Sequence, residues 1–336
     1  MKIVTCALAI ALVGPVLLDR PALGQSSNAL HVCHAGSLLA AFTRVEGEFK
    51  KQHPEVVITD TSGGSVDLVR RFAAGRLECD VLAPADHLVI DAMLKPARLA
   101  DFSIVFASGR MVLAYLATDS KAKALPVSGA FAPPLSVPQV GAGWYDVLTA
   151  PGVRISGAHP FMDPGGYRAH MIFELAQAHY NVPGLQNALL QHYQVNVADP
   201  SASAPALGKD FSFQLTYEHN AARTVKQDPS YRYATLPSEI DLSHDESPAA
   251  ITIPGLGIPG SATSVTIKAS RVEWGLTIPT KSRNRETAVA FVASLLGAAG
   301  SAALTTNGPA PMRPARVTRA DYGRLPQALR NLTTRE

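Results

Sequence analysis

Three short segments of the 336-residue chain place glycine beside a hydroxyl or carboxylate residue just ahead of a helical pattern: His34-Ala35-Gly36-Ser37, Ser62-Gly63-Gly64-Ser65 and Asp163-Pro164-Gly165-Gly166. Glycine lets the backbone approach a ligand closely, and the unpaired N–H groups of a first helical turn present the positive end of the helix dipole to it. Each serine adds a hydroxyl donor. Taken singly, Ser37, Ser65 and Asp163 read as helix N-caps, the commonest task of these residue types at such places. Three such ends in one chain point to a cradle for an oxyanion, with Gly36, Ser37, Gly64 and Ser65 as its donors. Neutral donors, without a lysine counter-ion, suit a receptor that must also release its cargo. The pattern does not choose among phosphate, sulfate, molybdate and tungstate.

The elements that must position these loops follow from the hydrophobic periodicity. Strands over 30–33, 56–60 and 80–83 alternate with helices over 38–51 and 66–74, and Leu38, Phe42, Val45 and Phe49 recur at helical spacing in the first helix. This βαβαβ order predicts a parallel sheet covered by helices, whose ligands sit beyond the carboxyl ends of the strands. Residues 119–143 are rich in Pro, Ser, Ala and Gly and read as a surface insertion rather than a lid. The alternation then resumes. A strand over 153–156 precedes a helix over 165–180 whose buried stripe is Tyr167, Met171, Leu175 and Ala178. A strand over 211–217, a polar stretch to 232 and a Pro/Gly-punctuated run over 251–259 follow, with strands over 265–267 and 274–278 and a helix over 286–296.

Length and an apolar fraction of 47% fit two packed lobes. With 17% charged residues and a net charge of +3, the chain has no field strong enough to hold a nucleic-acid backbone. Residues 1–24 form a secretory signal, with Lys2, an apolar run over 3–18 and small residues ahead of a cut after Gly24. An uncleaved anchor is the alternative, though the run is short for a span. Cleavage leaves Cys33 and Cys79. In neighbouring parallel strands these positions fall about 10 Å apart, beyond a disulfide's reach, so both are expected to be free core thiols.

The stretch Leu30-His31-Val32-Cys33-His34-Ala35-Gly36-Ser37-Leu38 resembles the opening of the archaeal-type tungstate/molybdate-binding proteins, periplasmic components of ABC importers. Asp163-Pro164-Gly165-Gly166-Tyr167-Arg168 is similar to that family's Asp-Pro-Cys-Gly-Tyr-Arg, with Gly165 replacing the cysteine and loosening the turn. Weaker matches run through Gly64-Ser65-Val66, Asp80-Val81-Leu82-Ala83, Leu236-Pro237-Ser238-Glu239-Ile240-Asp241-Leu242, Gly275-Leu276-Thr277-Ile278-Pro279 and Asn307-Gly308-Pro309.

The resemblance implies an α/β fold of the two-lobed periplasmic-binding class II. Each lobe is a mainly parallel sheet flanked by helices: 27–112 with 273–336 forms one, 113–272 the other, and the ligand lies between. It implies that Ser37 and Ser65 donate to a bound tungstate or molybdate. It further implies that two carboxylates reach the metal centre of that oxyanion and complete six ligands, which sulfur cannot accept. Asp163 matches the first. Glu218 matches the second by its Tyr-Glu context, and an ungapped alignment places Gln214 there instead.

The expected partners are the small oxyanion and a membrane permease; no cofactor, no nucleic acid and a monomer are expected, in the periplasm or outside the cell. A receptor for sulfate, phosphate or ferric iron shares the fold. A hydrolase using Ser37 or Ser65 as nucleophile has no motif that supplies a base. His34 and His219 read as structural, Arg168 as a salt-bridge partner and Asp86 as a helix cap.

Overall fold

A computed structural model describes residues 28–134, 136–196, 199, 204–244 and 247–336. The expected signal segment, 1–24, lies outside the described residues. In the first domain the parallel strands Val57–Gly63, Ala29–Ala35 and Val81–Ala83 lie in that spatial order. Ala29–Ala35 is central and almost wholly buried, whereas Val57–Gly63 is a largely exposed edge. Helices Leu39–Gln52 and Ser65–Ala73 make the crossovers that parallel pairing demands. A backbone pair between Leu82 and Thr277 extends this sheet into a second ladder: Val272–Leu276, Ile104–Gly109, Ala310–Val317 and Thr333–Arg335.

The second domain is built on a seven-stranded sheet. Its order is Val127–Ser128, Gln139–Val140, Tyr231–Thr235, Met111–Leu116, Phe213–Tyr217, Ile155–Ser156 and Tyr193–Gln194. The segment expected as an irregular insertion thus contributes two short strands, 127–128 at the edge and 139–140 beside it, that pair antiparallel. Helix Pro164–Tyr180 is buried on most of its surface, including Tyr167, Met171 and Leu175, while Ala178 of the expected stripe is exposed.

The three-stranded sheet is wholly parallel, as its sequence pattern predicts, whereas the adjoining four-stranded ladder and the seven-stranded sheet are mixed, which corrects the expectation of mainly parallel lobes. Ile104–Gly109 runs antiparallel to both neighbours, and so does Met111–Leu116 in the other domain. The cause is the crossing between domains. The chain passes straight from one strand into the other with only Arg110 between them, so each strand enters its sheet head-on between two strands of a helix-linked parallel pair. The return segment lies alongside: Met111 N donates to Asp241 O at 3.0 Å, and Val272 N to Leu242 O at 2.9 Å.

Cys33 and Cys79 form a disulfide, with Cα atoms 5.7 Å apart. The expectation of free thiols fails because the strand begins only at Val81; the chain bends at Asp80, and Cys79 folds back over Cys33 instead of extending along the ladder. The Asp80 carboxylate holds the bend. It accepts from His31 N at 3.0 Å, Ser282 Oγ at 2.8 Å, Arg283 N at 2.9 Å and Asn284 N at 3.1 Å.

Candidate functional site

A cleft of about 430 Å³ is lined from the first domain by Gly36, Ser37, Leu39 and Ser62-Gly63-Gly64, and from the second by Asp163, Gly165, Gln214, Thr216, Tyr217, Asn220, Arg223, Thr224 and Tyr231, among others. Ser37 sits in a single tight turn, Gly36–Leu38, between the central strand and helix Leu39–Gln52. It caps neither helical turn. Its hydroxyl accepts from Trp274 Nε1 at 3.0 Å, which leaves the hydroxyl hydrogen as a donor. Its carbonyl lies 3.0 Å from His219 Nε2. A carbonyl can only accept, so His219 carries hydrogen on Nε2 and ties the second domain to the Ser37 turn.

Burial lowers His219 to about 4, with Arg223 acting in the same sense and the bond to Ser37 opposing. The imidazole is therefore neutral at pH 7. The unfolded imidazole gains its proton near 6.5, so between pH 6.5 and about 4 the unfolded chain binds more protons than the folded one. His219 leaves stability unchanged above that window and lowers it progressively within it, by ~3 kcal/mol at the acid end. His170, lowered to about 4 by burial and then by His159, adds in the same direction. Urea midpoints measured across pH 4–7 should fall on acidification, and His219→Gln should flatten the slope; equal slopes would contradict the assignment.

Ser65 is buried and lies outside the cleft lining. Its hydroxyl accepts from Ala85 N at 2.9 Å. Gly64, not Ser65, occupies the cap position of helix Ser65–Ala73, and a Cβ on Gly64 would stand 2.6 Å from Met162 O, so only glycine permits this approach of the two domains. Met162 O accepts from Val66 N at 3.0 Å and Asp67 N at 3.2 Å. The helix terminus is thus directed at the segment 162–163 of the other domain. Gly36, by contrast, has open space where a Cβ would project.

Asp163 is the N-cap of helix Pro164–Tyr180, accepting from Gly165 N at 2.7 Å, with proline at the first helical position where its missing N–H costs nothing. Burial holds its carboxyl above the usual range, opposed by the amide of Gly165, by Arg168 and by the amide of Ser65. Glu218 stands outside the cleft lining. Its carboxylate makes a two-pronged pair with Arg110, Nε to Oε2 at 2.9 Å and Nη2 to Oε1 at 2.7 Å, and its amide donates to Arg110 O at 3.1 Å. The strand ends at Tyr217 and the helix starts at Glu218, which directs this side chain to the domain crossing. Gln214 does face the cleft; its Oε1 accepts from Tyr231 Oη at 3.3 Å.

The structure therefore brings Gly36, Ser37, Gly64 and Asp163 together with Gln214 and leaves Ser65 and Glu218 outside the lining. Arg223, Asn220 and Thr224 escaped the sequence reading. They share one face of helix Glu218–Gln227 at helical spacing, a signal lost when 218–232 is read as an undivided polar stretch. Among the described residues Arg223 is the cation of the lining, and its buried Nε has no hydrogen-bond partner. Its Nη2 reaches Asn220 Oδ1 at 3.4 Å.

Arg168 and Asp86 behave as expected. They form an ion pair at 3.1 Å, and Asp86 also caps the turn at His87 by accepting from Leu88 N at 3.0 Å. Neither proposed nucleophile meets an imidazole at its hydroxyl: Ser37 Oγ is engaged by Trp274 and Ser65 Oγ by Ala85.

Residues 30–308 match the bacterial extracellular solute-binding proteins. An uncharacterised solute-binding protein of Methanoculleus marisnigri is 30% identical over 90% of this chain and 86% of its own length. A molybdate/tungstate-binding protein of Pyrococcus abyssi is 26% identical over 99% of this chain and 97% of its own. Among solved structures, the sulfate-binding protein SubI of Mycobacterium tuberculosis superposes with a TM-score of 0.57 at 14% identity, covering 85% of this chain and 87% of that one. Two sheet-based domains, each flanked by helices, are the fold that these proteins share. The chain belongs to the family of bacterial extracellular solute-binding proteins, receptors that act outside the cytoplasm after loss of a signal peptide and perform no reaction on what they carry.

Proposed function

We propose that the protein captures a small tetrahedral oxyanion, tungstate or molybdate, between the two domains that the chain crosses at Arg110, and delivers it to the permease of an ABC importer. The observation that carries this reading is the meeting in one cleft of Asp163 and Arg223 with the Ser37 hydroxyl and the glycine turns at 36 and 64. Arg223 supplies the charge that neutral donors lack, and hydrogen bonds to ionised groups are about twice as strong as neutral ones. Asp163 is a hard oxygen donor suited to a highly charged metal centre, and it would repel a plain dianion unless protonated. The overall similarity to a molybdate/tungstate-binding protein supports the same ligand class.

One observation favours sulfate as a second reading: Glu218 is held by Arg110, so among the described residues the cleft lining presents one carboxylate where capture by two requires another. Gln214 at the remaining position donates and accepts without charge.

Calorimetric titration of the mature chain with tungstate, molybdate, sulfate and phosphate separates the two. The expected result is tight binding of the first two, weakened about ten- to a hundredfold by Arg223→Ala and lost preferentially for them in Asp163→Ala. Glu218→Gln tests whether the Arg110 pair opens on binding: a loss as large as that of Asp163→Ala restores the second carboxylate. Sulfate binding of equal strength, indifferent to Asp163→Ala, would overturn the metal-oxyanion reading.

A further inference from the structure

Outside the cleft lining, three side chains from three different elements converge. His34 is the penultimate residue of the central strand Ala29–Ala35, Glu46 lies on the buried face of helix Leu39–Gln52, and Asp60 stands on the edge strand Val57–Gly63. One donor atom from each lies within 4.8 Å of the other two. We propose that His34, Glu46 and Asp60 form a binding site for one divalent transition-metal cation, separate from the anion cleft.

The orientation of the imidazole is the first reason. His34 Nδ1 is 2.8 Å from Ala35 O, which can only accept, so Nδ1 carries hydrogen, and in the neutral ring the Nε2 lone pair faces the carboxylates. A ring nitrogen anchored to a backbone carbonyl while the other points at a cation is the usual arrangement of a metal-binding histidine. The second reason is the lack of other partners. His34 is 0% and Glu46 8% exposed, yet His34 Nε2 and Glu46 Oε1 have no hydrogen-bond partner. Asp60 Oδ1 lies 2.8 Å from Nε2 without the alignment of a hydrogen bond. Two acceptors at that distance repel one another unless a positive centre lies among them.

One imidazole nitrogen and two carboxylate oxygens suit zinc and its neighbours, with a further position for water. Phe42, its ring centroid 4.6 Å from that of His34, walls the site on one side, and Asp60 on the exposed edge strand gives a path from solvent.

The test uses the mature, oxyanion-free chain. Calorimetric titration with zinc should show one site, and cobalt(II) in its place should develop visible absorption that zinc displaces. Asp60→Asn, at an exposed position, and Glu46→Gln, of the same shape, should each weaken zinc binding by about tenfold or more and abolish the cobalt absorption, with circular dichroism confirming that both variants are folded. No saturable zinc binding to the parent chain, or zinc affinity unchanged in both variants, would overturn the proposal and leave the three groups as a proton-sharing cluster.

Discussion

Replacing Arg168 with methionine is expected to lower the unfolding free energy of the mature chain by about 3–5 kcal/mol, the cost of leaving a buried charge without its partner. The side chains of Arg168 and Asp86 are 2% and 4% exposed. Arg168 comes from the helix behind Asp163, and Asp86 from the loop after the strand Val81–Ala83, so the pair joins the two domains. It is enclosed by further bonds: Arg168 Nη1 donates to Ala85 O at 2.8 Å and to Tyr217 Oη at 2.9 Å, and Tyr167 Oη donates to Asp86 at 2.6 Å. Removal of the guanidinium leaves the carboxylate to one hydroxyl, one amide and the His87 ring 3.9 Å away.

The double variant Arg168→Met/Asp86→Leu should recover a large part of the loss, because desolvation of both charges is then relieved. Arg154→Ala, which breaks a pair 42% and 62% exposed with Asp210, serves as the control and should cost under ~1 kcal/mol. Urea denaturation measures all three. A loss from Arg168→Met no larger than the control's would show that the buried pair contributes nothing.

The second large effect concerns the disulfide. Cys33 and Cys79 are separated by 46 residues, and cross-linking a loop of that length stabilises by about 4 kcal/mol through the restricted unfolded chain. The double variant Cys33→Ser/Cys79→Ser should lose that amount. Reduction of the parent chain should bring its denaturation midpoint to the variant's. A midpoint that resists both changes would place the stability of this domain elsewhere.

The disulfide also shows where sequence reasoning stops. The strand register was read correctly in kind, since Ala29–Ala35 and Val81–Ala83 do pair in parallel. What failed was the assumption that Cys79 continues the strand, and the bend depends on bonds from residues 31 and 282–284, the last three over 200 positions away in the chain. Local pattern carries no trace of them. The glycine turns at 36 and 64 and the cap at Asp163 were legible because each carries a short-range mark: a glycine before a serine at a helix start, or a proline after a capping carboxylate. Glu218 and Arg223 were not. Their directions depend on where one helix begins, and a shift of one residue there rotates every side chain by about 100°. The mixed sheets were hidden for a related reason, since strand direction after a domain crossing is set by the other domain.

The crossing at Arg110 has a mechanical consequence. A single residue joins a strand of each sheet, and the return segment is bonded beside it at Met111–Asp241 and Val272–Leu242. Such a bundle of parallel filaments resists sliding and stretching but yields to bending about one axis, so relative motion of the domains has an axle instead of a loose tether. Arg110 also grips Glu218 through backbone and side chain, and five residues farther along the same helix, about 7.5 Å of rise, stands Arg223. Any bending about that axis would carry the helix held at Glu218, and with it the Arg223 guanidinium in the cleft lining.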